Sequence, residues 1–115
     1  MKISINEKYQ AAIIELKGDL VGGVDAQLFR DKLYQLIKDG KKNVVVDMTD
    51  VKFMNSSGIG ILISGYTTLK NAVGELKLAH ISDKVKGILS ITMLNKVFDI
   101  FDSVDDAVKS FDSKK

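Results

Sequence analysis

Apolar and polar residues alternate at the start of the chain. Lys2, Ser4 and Asn6 fall on one side and Ile3 and Ile5 on the other, the period of a half-buried strand. Residues 11–16, Ala-Ala-Ile-Ile-Glu-Leu, predict a second strand, and the polar stretch from Asn6 to Gln10 a turn, so the two form an antiparallel hairpin. Gly18, Gly22 and Gly23 punctuate a loop. The period then changes. Leu28, Phe29, Leu33, Leu36 and Ile37 recur at helical spacing, with Asp25 as a cap, Lys38 in the last turn and Gly40 as the stop. Asn43-Val-Val-Val-Asp47 is a continuous β-branched run, as expected of a central strand covered on both faces.

A second helix is predicted from about Gly58, with Ile59, Leu62, Ile63, Tyr66, Leu69 and Val73 as its apolar stripe and Gly74 as its end. Leu76 to Ile81 predicts another buried strand. A third helix follows, capped by Ser82 or Asp83, with Val85, Ile88, Leu89 and Thr92 inward. Phe98 to Phe101 is a short last strand, and Val104, Ala107, Val108 and Phe111 mark a C-terminal helix starting after Ser103. The order ββαβαβαβα predicts a single α/β domain over 1–115, with 111–115 as a frayed tail. Its sheet is mixed but mostly parallel, with an N-terminal antiparallel hairpin and helices mainly on one face. The runs 44–47 and 76–81 are expected to be adjacent parallel strands in the middle of the sheet.

Composition narrows the function. A chain of 115 residues with 45% hydrophobic and 28% charged residues is one foldable domain. It has no cysteine and one histidine, His80, which excludes disulfides and leaves no ordinary zinc-ligand set. The net charge of +2 is spread along the chain, and of the 17 basic residues only Arg30 is arginine. Nucleic-acid binders concentrate Arg and Lys on one face, and no such patch is visible here. No signal peptide opens the chain, and apolar runs such as Ile61-Leu62-Ile63 fall far short of the ~20 residues of a membrane span. The expectation is a cytoplasmic protein without nucleic-acid or membrane partners.

Catalytic chemistry finds little support. Asp19 with Asp25, or Asp47 with Asp50, are pairs of carboxylates with nothing to mark a pocket or a perturbed pKa. His80 belongs to no triad motif, and Gly22-Gly23 matches no phosphate loop. Neither enzyme activity nor a cofactor is expected.

The informative segment is Asp47-Met-Thr-Asp-Val-Lys-Phe-Met-Asn-Ser-Ser-Gly-Ile-Gly60. Two adjacent hydroxyls, Ser56 and Ser57, precede a helix, where free N–H groups and the helix dipole favour an anion. A serine there either caps the helix or carries a phosphate. Gly58 and Gly60 remove side chains and let another molecule reach the backbone, unless they serve only a turn and a tight internal contact. Gly60, Ser64 and Thr67 or Thr68 leave one helix flank small and polar, a plausible docking face.

This segment resembles the signature of the STAS family, in particular its bacterial anti-sigma factor antagonists. Their pattern is an aspartate-bearing strand, a stretch like Val-x-Phe-Met, then Asp-Ser-Ser-Gly-Leu-Gly at a helix start. Leu16-Lys-Gly-Asp-Leu20 resembles the family's Leu-x-Gly-Glu-Leu, and the element order matches over residues 1–111. The resemblance implies a protein that binds an anti-sigma factor serine kinase and releases a sigma factor. It also implies switching-off by phosphorylation of the first serine, Ser56, and resetting by a metal-dependent serine phosphatase. Ser57 would cap the helix or support the loop, and Asp19, Asn55, Ser56, Ser57, Gly58 and Gly60 would meet the partner. Two positions depart from the pattern. Asn55 replaces an aspartate, keeping its shape and acceptor oxygen but not its charge, and Val21 stands where an aspartate is usual. The alternative is a STAS module that is never phosphorylated and serves as a scaffold in a sensory or lipid-transport assembly.

Overall fold

A computed structural model describes residues 2–8 and 11–112. The strands are β1 (Lys2–Lys8), β2 (Ala11–Lys17), β3 (Asn43–Asp50), β4 (Glu75–Ala79) and β5 (Asp99–Phe101). The helices are α1 (Val24–Lys38), α2 (Ser56–Asn71), α3 (Asp83–Ile91) and α4 (Val104–Asp112). The described strands form one sheet in the order β1-β2-β3-β4-β5. β1 and β2 are antiparallel, with Ile5 opposite Ile14. Every other pair is parallel, and Val44 of β3 lies opposite Leu76 of β4. The two β-branched and aliphatic runs are thus neighbours in the middle of the sheet, as their composition predicts. Of the expected frayed tail 111–115, Phe111 and Asp112 instead complete α4, with Phe111 packed against the core, and 113–115 lie outside the described residues.

Strand alternation divides the core between two faces. Ile14, Leu16, Val44, Val46, Leu76 and Leu78 pack with Phe29, Leu33, Leu62, Leu69, Val85 and Leu89 of α1, α2 and α3. Ala11, Ile13, Val45 and Ala79 face the other way, against Ala107 and Val108 of α4. Among the described residues, three helices therefore share one face and α4 covers the second. Lys77 also points toward α4 and is 1% exposed. Its Nζ donates to Ser110 Oγ at 2.5 Å and lies 4.5 Å from the Phe111 ring centroid, so a hydroxyl and an aromatic face take the place of water around the ammonium.

Several local expectations are corrected. Gly23, not Asp25, occupies the cap position of α1, with no side-chain cap, and Asp25 sits in the first turn. α2 starts at Ser56, two residues before Gly58. Its buried face is Gly58, Ile61, Leu62, Gly65 and Leu69, whereas Ile63 and Val73 are 39% and 89% exposed. The helix is rolled toward its glycines: an added Cβ at Gly65 would meet Phe29 at 2.7 Å, so α1 packs where a side chain is missing. β4 ends at Ala79, and His80 takes a left-handed backbone with φ 57°. Of the inward set of α3, Val85 and Leu89 are buried, and Thr92 is the exposed C-cap residue.

Candidate functional site

The carboxyl ends of the parallel strands bring two loops together. β3 turns where Asp47 Oδ1 accepts hydrogen bonds from the Thr49 amide and hydroxyl, and Val51 N donates to Met48 O. The following segment keeps an extended pairing with the β2–α1 loop. Gly18 N donates to Asp50 O, Leu20 N to Phe53 O at 3.0 Å, and Asn55 N to Leu20 O at 3.3 Å. Leu20, Val51 and Met54 are buried beneath this pairing and anchor it from below. The result is a ledge at the start of α2, built from segments more than 30 residues apart in sequence.

Asn55 sits at the join. Its backbone is extended, its Oδ1 accepts from Gly58 N at 2.9 Å, and its Nδ2 donates to Val21 O at 3.3 Å. One amide group thereby caps α2 and ties the two loops together. An aspartate could cap but could not donate to Val21 O, so the departure from the family pattern has a structural use. Of the two roles open to Ser57, cap or loop support, the cap belongs to Asn55.

That arrangement leaves both serines unoccupied. Ser56 and Ser57 are exposed, and among the described residues neither hydroxyl has a hydrogen-bond partner. No acidic residue stands in the first turn of α2, so the positive end of the helix is not offset. The hydroxyls therefore project from an N-terminus whose electrostatics suit an added negative group. Gly22, at φ 98°, packs against Ser57, where an added Cβ would lie 2.7 Å from the serine Cβ.

The two site glycines separate. Gly58 is buried, and an added Cβ would fall 1.8 Å from Leu20 O, so the close approach is made by the chain's own backbone. Gly60 is exposed, with nothing within 4 Å of an added Cβ. Asp19 is exposed on the adjoining loop. Val21 and Phe53, not among the residues expected to meet the partner, are apolar yet 44% and 38% exposed on the two paired loops. Arg30, also outside the expected set, lines a cleft of about 190 Å³ between α1 and α2 together with Ser57 and Gly60. The one arginine among many lysines was the signal available for it.

The other candidates are dispersed. Asp47 is engaged by Thr49, and His80 is exposed at the end of β4. Among the described residues no three or more His, Cys, Asp or Glu side chains gather as a metal site would need. No described helix is long and apolar enough to cross a membrane.

The STAS domain model matches residues 2–107, nearly the whole of this ledge, sheet and helix arrangement. The chain belongs to the STAS family. The anti-sigma-B factor antagonist of Bacillus subtilis is 28% identical over 103 residues, covering 87% of this chain and 92% of the relative. A Thermotoga maritima protein assigned to the anti-sigma factor antagonists superposes with a TM-score of 0.84 at 19% identity, covering 94% of this STAS domain and 92% of that chain. The phosphorylated form of the Bacillus cell-fate determinant SpoIIAA superposes with a TM-score of 0.73 at 18% identity, over 96% and 99% of the two chains. At such identities the structural likenesses establish the shared fold.

Proposed function

We propose that this STAS domain is an anti-sigma factor antagonist of the cytoplasm. It binds an anti-sigma factor that is a serine kinase, releases the sigma factor that partner held, and is switched off by phosphorylation of Ser56. The carrying observation is the free Ser56 hydroxyl: Asn55 supplies the helix cap, so Ser56 is exposed and uncommitted at an uncompensated helix N-terminus. The names of the relatives support the class of partner, and SpoIIAA supports a phosphorylated state in a protein of this fold.

The docking face in this reading comprises Asp19, Val21, Phe53, Asn55, Ser56, Ser57 and Gly60 at the carboxyl ends of β2 and β3. In the switching step the γ-phosphoryl group of ATP moves to Ser56 Oγ, ADP leaves, and the hydroxyl proton passes to a base on the kinase. A metal-dependent serine phosphatase returns the hydroxyl and inorganic phosphate with one water consumed. Phosphoserine carries about −1.5 to −2 charges at neutral pH. The helix N-terminus tolerates that charge, whereas a partner packed on a neutral hydroxyl meets a desolvated dianion at a cost of several kcal/mol. A cost of about 3 kcal/mol is roughly a hundredfold in affinity, enough for a switch.

The test is the affinity of the purified cognate anti-sigma factor kinase for three forms of the chain. Wild type and Ser56→Ala should bind alike, and Ser56→Asp should bind at least tenfold more weakly while folding normally. Equal affinity of all three would remove Ser56 from the interface.

A further inference from the structure

The cleft between α1 and α2 is continuous with the proposed docking face, because Ser57 and Gly60 line both. Its floor is apolar, formed by the buried Phe29 and Leu33 of α1. Its rim is polar and exposed, with Ser57 and Ser64 on α2 and Arg30 on α1. Gly60 adds nothing to narrow the mouth, since no atom lies within 4 Å of an added Cβ. Size limits what can enter. The cleft measures about 190 Å³. Pockets for cofactors and drug-sized ligands run to about 300–1,000 Å³, whereas a cavity of about 150 Å³ holds one benzene-sized group. One large apolar side chain therefore fits, and a cofactor does not.

Charge limits it further. Among the described lining residues Arg30 carries the only charge, and none is acidic. Its guanidinium makes no hydrogen bond or ion pair among the described residues. A nucleic acid calls for several cations on one face, and the cleft offers one. A planar fork of N–H donors beside an apolar hollow instead matches a carboxylate that neighbours an apolar side chain. An arginine next to a pocket that one anchor side chain can fill is also the usual make-up of a binding hot spot.

We propose that this cleft is the anchor pocket for the anti-sigma factor. One large apolar side chain of that partner enters between α1 and α2, and an adjacent Asp or Glu of the partner pairs with Arg30. The inference rests on the reading of the chain as an anti-sigma factor antagonist and gives its partner a stated chemistry: an apolar anchor flanked by an acid. Gly60 and Ser64 act here by being small, which keeps the cleft open from the α2 side.

The experiment measures the affinity of the purified cognate anti-sigma factor for the full unphosphorylated chain and its variants, with backbone amide spectra confirming each fold. Arg30→Glu should bind at least tenfold more weakly, and Arg30→Lys should fall between it and wild type. Ser64→Leu, which puts a side chain into the cleft from the exposed flank of α2, should also lose at least tenfold. Wild-type affinity should fall more steeply with salt than that of Arg30→Gln. The chain has one arginine, so one Nε–Hε cross-peak in a ¹H–¹⁵N spectrum reports on Arg30. That cross-peak should move when the anti-sigma factor is added and stay fixed when the chain alone is diluted. Wild-type affinity in either Arg30→Glu or Ser64→Leu overturns the proposal. So does a cross-peak that moves on dilution, which would put a second copy of the chain in the cleft. A wild-type chain that does not bind the anti-sigma factor removes the functional reading and this inference with it. Binding lost in Arg30→Glu but kept in Ser56→Asp removes the phosphorylation switch alone.

Discussion

The carbonyl oxygen of Leu20 fills the space in front of Gly58, 1.8 Å from where a Cβ would stand. The backbone of one loop thus rests directly on the first turn of α2, and the atom in the way is backbone, which cannot turn aside. Gly58→Ala should force the loops apart and cost about 1–3 kcal/mol, the range of overpacking in a filled core. Gly60→Ala, in open space two residues later, should be neutral or gain up to ~1 kcal/mol from helix propensity. Thermal melts of the two variants compare them directly. Equal melting temperatures would mean that the Leu20–Gly58 contact relaxes freely.

Asn55 is expected to be the stability residue of the site, and Ser57 is not. Asn55→Ala should cost about 1 kcal/mol for the cap alone, and more for the lost tie to Val21 O. Asn55→Asp should fall between, keeping the acceptor for Gly58 N and losing the donor. Ser57→Ala should unfold as wild type does in urea. A large loss with Ser57→Ala would return the cap to the serine.

The hairpin, the element order and the pairing of 44–47 with the strand after it were legible because β-branched runs and a period of two signal burial directly. The face of α2 was not. Large apolar residues dominate a periodicity count, and there Ile63 and Val73 drew the stripe away from Gly58 and Gly65, whose value lies in what they lack. The neighbourhood of Ser56 was legible as a motif. The choice between Asn55 and Ser57 as cap was not, since both residue types cap well and only the backbone turn at Asn55 decides. Arg30 comes to Ser57 through the packing of α1 on α2, a relation absent from local sequence.

Beneath α4, the buried Lys77 tests what holds the second face together. Lys77→Met keeps most of the volume and removes a charge from the interior, so it should leave stability unchanged or raised. Lys77→Ala should cost about 2 kcal/mol or more through the cavity it leaves. If Lys77→Met proves as damaging as Lys77→Ala, the ammonium contacts with Ser110 and Phe111 seat the helix.

Lys8 pairs with Asp105 between β1 and α4. The hydrogen bond from Lys8, and then its charge, hold the Asp105 carboxyl below the ordinary aspartate range. A carboxylate with a depressed folded pKa stabilises the fold above its unfolded pKa, and that contribution is lost as the pH falls through the depressed value. Carboxyl ¹³C titration should show Asp105 protonating at lower pH in wild type than in Lys8→Ala. Coincident curves would show the pair to be open in solution.

In the proposed function Ser56 is the residue a kinase modifies. Incubation of the chain with its cognate anti-sigma factor kinase and ATP, followed by intact-mass measurement and fragment mapping, tests it most directly. Wild type should gain a single phosphoryl group, on Ser56, and Ser56→Ala should gain none. A phosphate on Ser57, or none at all under conditions where the kinase is active, would contradict it.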